Sequence, residues 1–327
     1  MSHCGMDRRR FLKYLGAAAG TAVTWGAGLL TGGAGLLTGA FGSFLREAAA
    51  AEASSQVSVA AGASASDNVR RAVDALGGIR TFISPGDVVV LKPNIGWDRT
   101  PEQAANTDPD VVVAVAELCL YAGAKEVRVF DRTCNEPRRC YASSGIQQAV
   151  ETYARKNHAG DTLRVYHVED RKFQRTEIPG AILLRQWDFY RDALEADKIV
   201  NVPVAKHHSL ATVTLGLKNM MGVMGGNRGQ IHFRLPECLV DLNQRIRTRL
   251  TVIDATRILL RNGPSGGNLE DVKSVGKIFA SADIVAADVV AAQALFGLRG
   301  GEVAHIRMAG EAGIGVSDPG RIRVTEV

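Results

Sequence analysis

The chain has 327 residues, a formal net charge of +5, 46% hydrophobic residues and 22% charged residues. That balance supplies a full core and excludes an intrinsically disordered chain. The mild charge, with no basic stripe interleaved with aromatics, excludes a nucleic-acid binder.

The chain opens on Asp7-Arg8-Arg9-Arg10-Phe11-Leu12-Lys13, followed by residues 14–45 without one charged side chain. A basic start, an apolar stretch and then small residues form the layout of an export signal. The glycine-rich run, in which residues 26–32 repeat as 33–39, is weakly apolar and a poor helix former. It resembles a twin-arginine (Tat) signal, implying hand-over to the Tat translocase and a periplasmic destination. The expected cut lies between Ala53 and Ser54, leaving residues 54–327 as a single α/β domain. The alternative is an uncleaved signal acting as an anchor, since the uncharged run exceeds the roughly 20 residues needed to span a bilayer. Removing residues 1–53 takes five Lys/Arg and three Asp/Glu, so the net charge falls from +5 to +3.

Beyond the leader, residues 56–60 alternate as a strand. Asp67 caps a helix that ends at Gly77-Gly78. Residues 87–91, set off by Pro85-Gly86, read as a buried strand. Asp108-Pro109 opens a helix over 111–121, and 126–130 is the next strand. Helix 144–157, strand 162–168 and strand 198–202 follow, then helices over 211–224 and 234–247. Strand 250–253 runs into Asp254. After the turn at 263–267 come strand 275–280, helix 283–296 and a last helix from about Glu302. Strands alternating with helices imply an open, mostly parallel sheet with helices on both faces, as one domain or as two lobes around a cleft.

Ligands of such sheets sit beyond the carboxyl ends of the strands. Those ends carry Lys92 and Asn94, then Asp131, then Asn201 leading to Lys206, His207 and His208, then Asp254. One such residue reads most simply as a turn cap; four polar strand ends on one edge read as a site. Lys218-Asn219 interrupts an otherwise apolar helix, where a lysine is costly unless paired, facing a cavity, or snorkelling to solvent. Gly225-Gly226-Asn227-Arg228-Gly229 reads as a flexible loop or lid leading to His232. Lys206, His207, His208, Lys218, Arg228 and His232 together suit a carboxylate or phosphate. The spacing gives no H-E-x-x-H, no Walker loop, no G-x-S-x-G and no strand-linked G-x-G-x-x-G, so no metal or cofactor is specified.

Four cysteines lie beyond residue 53: Cys119, Cys134, Cys140 and Cys238. None forms a C-x-x-C pair, which argues against a zinc knuckle. Cys134 and Cys140 could close a short disulfide loop, while Cys119 sits on an apolar helix as core.

These motifs resemble the domain-of-unknown-function family 362 over nearly all of residues 54–327. The resemblance is carried by Val90-Leu91-Lys92-Pro93-Asn94, Asn106-Thr107-Asp108-Pro109 and Ala122-Gly123-Ala124. It continues in Asn201-Val202-Pro203-Val204-Ala205-Lys206-His207, Thr214-Leu215-Gly216-Leu217-Lys218-Asn219-Met220-Met221-Gly222 and Val252-Ile253-Asp254-Ala255. Ala282-Asp283 through Ala287-Asp288 matches the family's late Asp-containing helix. Some members carry an added ferredoxin-like module; this chain lacks the cysteine run for it, so no 4Fe-4S cluster is expected.

The reading that follows is an exported enzyme acting on a small anionic or carbonyl substrate by acid–base chemistry. Lys206, His207 and Lys218 would be catalytic. Lys92, Asn94, Asp131, Asn201, Asn219, Arg228, His232 and Asp254 would bind the small-molecule ligand. The alternative is a non-catalytic metal-, cofactor- or anion-binding protein serving a periplasmic redox system.

Overall fold

The computed structural model describes residues 54–327, and the expected export signal lies outside them. Residues 54–327 lie in one compact unit. In chain order the elements are β1 (Ser55–Ala61), α1 (Ala65–Asp74), β2 (Val88–Pro93), α2 (Pro109–Tyr121), β3 (Glu126–Val129), α3 (Pro137–Ser143), α4 (Ile146–Lys156) and β4 (Leu163–Val165). There follow β5 (Phe173–Glu177), β6 (Gln186–Tyr190), α5 (Arg191–Leu194), β7 (Lys198–Val202), β8 (Val204–His208), β9 (Thr212–Thr214) and α6 (Gly216–Asn219). The last elements are α7 (Leu235–Arg245), β10 (Leu250–Leu259), β11 (Val272–Ser281), α8 (Ile284–Phe296), α9 (Ala304–Glu311) and β12 (Ile322–Glu326).

The main sheet runs β12-β1-β11-β10-β7-β2-β3-β4, with β8 branching onto β10 and β9 onto β8. From β10 through β4 every neighbouring pair is parallel. β11 is antiparallel to both β10 and β1, a departure from the uniform pattern that alternating elements suggest. β5 and β6 form a separate two-stranded ribbon.

Strand side chains alternate between faces, and β2 shows the result. Val89 and Leu91 enter one core with Val111, Val115, Val127 and Ile146. Val90 enters the other, with Phe130, Leu239, Ile253 and Val285. Helices α1, α2 and α4 supply the first core, and α7, α8 and α9 the second, so both sheet faces are covered.

The helix starts follow their caps. Asp108 accepts from the Asp110 amide ahead of Pro109 at the start of α2. Asp283 accepts from Val285 and Ala286 at the start of α8. Gly297, at φ 68°, ends α8 in the left-handed region that favours glycine.

The expected helix over 211–224 is instead a strand, one turn of helix and a 3₁₀ segment, β9 through Met220–Val223. Thr212-Val213-Thr214 pairs with β8, and the pairing outweighs the local apolar pattern. The expected helix 144–157 is α4, Ile146–Lys156, with Gly145 at its N-cap at φ 72°, and the short α3 precedes it. β10 continues through Asp254 to Leu259, and β12 beyond residue 302 has no counterpart in the sequence reading.

Candidate active site

A pocket of about 260 Å³ opens where β2, β3 and β8 meet the segment from β9 to His232. Its wall includes Lys92, Asn94, Asp131, Lys206, Lys218, Asn219, Arg228 and His232. Eight of the eleven sequence-predicted residues therefore come together.

Lys92 ends β2 and is fully buried. Its Nζ lies 2.8 Å from Asp131 Oδ1, and it donates to the Pro93 carbonyl at 2.7 Å and to Asn219 Oδ1 at 3.0 Å. Three acceptors use all three ammonium hydrogens. Asp131 Oδ2 accepts from the Ile95 amide at 2.7 Å, whereas Oδ1 has no hydrogen-bond partner apart from Lys92. Burial lowers the Lys92 pKa from its usual value, and the Asp131 charge opposes that shift.

Asn219 is the centre of the wiring. Its Nδ2 donates to the Lys92 carbonyl and to Asn201 Oδ1, and its Oδ1 accepts from Lys92 Nζ and Asn94 Nδ2. All four hydrogen-bonding capacities of the amide are filled, which fixes its orientation. Asn94 Oδ1 passes the chain on to Lys206 Nζ at 3.0 Å, and Lys206 donates a second bond to the Ala105 carbonyl. Burial brings the Lys206 pKa down to about 7, with Lys218 and Lys92 adding to the shift and Cys134 and Asp131 resisting it.

Lys218 differs. Only 9% of it is exposed, so it does not snorkel, and it lines the pocket. Among the described residues its ammonium has no hydrogen-bond or ion-pair partner. Burial lowers its pKa to about 8; Arg228 and Lys92 push the same way, against Cys134 and Asp131. The turn that carries it is held from behind. Asp288 on α8 accepts from the Gly216 amide at 2.6 Å and the Leu217 amide at 2.9 Å. Burial raises the Asp288 pKa to about 7.

Gly222 closes on the Lys92–Asp131 pair. A Cβ built there would sit 1.7 Å from Asp131 Oδ1 and 2.5 Å from Lys92 Nζ. No side chain fits, which gives the glycine of the Leu-Lys-Asn-x-x-Gly motif its physical reason.

Two imidazoles face the same space. His208 Nδ1 accepts from the Leu210 and Ala211 amides at 3.1 and 3.2 Å, so its neutral ring carries the proton on Nε2. Burial, then the charges of Lys218 and Lys206, lower its pKa to about 3. His232 Nδ1 lies 3.0 Å from the Gly229 carbonyl; that contact places its proton on Nδ1 and leaves Nε2 as an acceptor. Burial lowers the His232 pKa as well. The rings are 6.1 Å apart and near parallel.

Three predicted residues lie elsewhere. His207 is on the opposite face of β8 from Lys206 and His208, because side chains alternate along a strand. Its partner in β9 is the core residue Val213, and its Nδ1 accepts from the Gly263 amide at 3.2 Å. His208 takes its place in the pocket, and the same period-two count from Lys206 would have found it. Asn201 stands behind the pocket, bonded to Asn219 and to the Gly216 carbonyl. Asp254 is a buried cap: it accepts from the Asp108 amide and from the Thr256 amide and hydroxyl. Burial, with Asp108 nearby, raises its pKa to about 6.

The glycine-rich segment is tied down rather than free. Arg132 donates to the Met224 and Gly226 carbonyls, and Trp187 Nε1 to the Gly225 carbonyl. Arg228 donates to the Met221 and Thr133 carbonyls and to Cys134 Sγ. The Cys134–Cys140 bridge does not form. Cys134 faces Arg228, whereas buried Cys140 points its Sγ at the Gly96 carbonyl. Among the described residues, no group of three or more His, Cys, Asp or Glu converges to hold a metal ion.

The class these features define is an α/β protein with a cationic, imidazole-bearing pocket at the strand ends. The chain belongs to the family described as "Domain of unknown function (DUF362)", whose model matches residues 89–293 and so takes in Lys92 through Asp288. It is 29% identical over 234 residues to the thylakoid-associated protein sll1697 of Synechocystis sp., covering 68% of this chain and 67% of that protein.

Two solved structures are distantly similar. The lactate racemase apoprotein from Thermoanaerobacterium thermosaccharolyticum has a TM-score of 0.41 at 11% identity, over 69% of this chain and 54% of that one. A structural-genomics protein from Thermotoga maritima has a TM-score of 0.42 at 12% identity, over 71% and 59%. The chain thus spans little more than half the length of either solved structure.

Proposed function

We propose that the protein is an enzyme that binds a small anion, a carboxylate or phosphate, and moves a proton on it by acid–base chemistry. The observation that carries this reading is the charge of the pocket wall. Lys92, Arg132, Lys206, Lys218 and Arg228 line it against one carboxylate, Asp131, which Lys92 already engages. A buried positive excess of this kind is relieved by an anionic ligand. His232 Nε2 supplies a proton acceptor and His208 Nε2–H a donor on the same cavity.

The Tat-like leader supports work outside the cytoplasmic membrane. The thylakoid association named for the cyanobacterial relative is in keeping with a membrane-proximal site. Among the described residues no helix is long and apolar enough to cross a membrane.

Calorimetric titration with oxalate and with inorganic phosphate tests the anion site. One of them should bind at a single site, and Lys218→Met should weaken that binding about tenfold or more. Incubating small hydroxy- and oxo-carboxylates in heavy water tests the proton transfer. Exchange at the hydroxyl-bearing carbon of a hydroxy acid, or at the carbon next to the carbonyl of an oxo acid, should appear with the native protein and vanish in His232→Gln. No anion binding, or exchange unaffected by His232→Gln, sinks the reading.

A further inference from the structure

We propose that Lys218 is a covalent-catalysis lysine that forms an imine with the carbonyl carbon of an α-oxo acid whose carboxylate is held by Lys206, Arg132 and Arg228. This rests on the anion-binding reading above and gives it a substrate class.

The five basic side chains on the pocket wall are not equivalent. Lys92 has three acceptors and Lys206 has two. Arg228 donates to Met221, Thr133 and Cys134, and Arg132 to Met224 and Gly226. The two lysines are fixed by bonds that an imine would break, and the two guanidinium groups stay protonated and offer no amine nucleophile. Lys218 alone among them has no partner among the described residues, while being 9% exposed and facing the cavity.

A buried lysine left without acceptors is poorly stabilised as an ammonium, and its free amine is the nucleophile. The groups around it act in that sense. Burial comes first, followed by the charges of Arg228 and Lys92, with Cys134 and Asp131 opposing. His208, His232 and His305, which also feel the Lys218 charge, have lowered pKa values and stay neutral beside it.

The chemistry balances without a further reactant. The Lys218 nitrogen lone pair forms the C–N bond as the carbonyl π pair moves to oxygen. His232 Nε2 takes a proton from that nitrogen and returns it to the oxygen, giving the neutral carbinolamine. The nitrogen's second hydrogen then leaves with that oxygen as water, the C–O bond breaks, and the C=N bond closes. The imine withdraws electrons from the adjacent carbon, which is what proton transfer at that carbon requires.

Reductive trapping tests this. The full-length purified protein would be incubated with glyoxylate or pyruvate, reduced with cyanoborohydride, and mapped by peptide mass spectrometry. One adduct is expected, on the peptide carrying Lys218, lost in the presence of excess oxalate and lost in Lys218→Met. Absence of an adduct, or adducts scattered over surface lysines and indifferent to oxalate, overturns the proposal. Oxalate titration of the same sample separates the two readings, because oxalate has no ketone to trap. Oxalate binding without an adduct removes the imine and leaves the anion site. Neither binding nor adduct removes both.

Discussion

Lys92 and Lys218 sit on one pocket wall, yet the first is surrounded by acceptors and the second by none. Lys92 ends a central strand and meets Asp131, Pro93 and Asn219, so its charge is used up in holding the sheet ends together. Lys218 stands on a single helical turn clamped from behind by Asp288, and its amine faces the cavity. A buried charge with full hydrogen bonding is a structural part, whereas one left bare is held in reserve for a ligand. On the proposed reading, the Lys92 cluster positions and the Lys218 side reacts.

That contrast can be broken from either side, and the largest effect falls on the Lys92 cluster. Asp131→Ala leaves the Lys92 ammonium buried without its counter-ion and orphans the Ile95 amide. Urea unfolding should show a loss of about 3–5 kcal/mol, as for other broken buried pairs. A loss below about 1 kcal/mol would mean that the pair does not hold the strand ends.

Lys218→Met should do the opposite. The folded pKa of Lys218, about 8, lies below its usual 10.5. The folded protein therefore binds fewer protons than the unfolded chain between those values, and its stability rises with pH across that window. Below the folded value the full cost is present, on the order of 3 kcal/mol for the shift of 10.5 to about 8. The variant should accordingly be more stable than the parent by that order near neutral and acid pH, with the gap closing as pH rises from about 8 to 10.5. A variant less stable at all pH values would mean that Lys218 has a structural partner.

The smallest effect is expected at His207. His207→Gln removes a bond to Gly263 worth roughly 0.5–1.5 kcal/mol and should leave oxalate or phosphate affinity unchanged. A large loss of affinity would return His207 to the site.

The parallel half of the fold and most of the pocket were legible because their signals are local. Val88 to Val90 is a β-branched run that leads through Leu91 to a lysine, and Asp108-Pro109 is a start signal that the chain obeys. The antiparallel β10–β11 pairing and the strand in 212–214 were not legible, since both depend on partners far along the chain that no window of sequence contains. His207 adjoins Lys206 in the sequence, but strand alternation puts His208, not His207, on the Lys206 face. Asp254 carried a polar strand-end signal, but its carboxylate is consumed by Asp108 and Thr256. The disulfide failed on direction, with Cys134 turned to Arg228 and Cys140 to Gly96.

The clamp from Asp288 has a consequence for the order in which the molecule becomes competent. The lysine turn at Gly216–Asn219 is too short to hold itself, and two of its leading amides are satisfied only by a carboxylate about 70 residues further on. A chain lacking residues 283–296 could lay down β2, β3 and β7 and still present Lys218 on an unanchored turn. The reactive amine is thus set only after α8 has docked. On the proposed reading the nascent protein is chemically silent until then, and α8 serves as its safety catch.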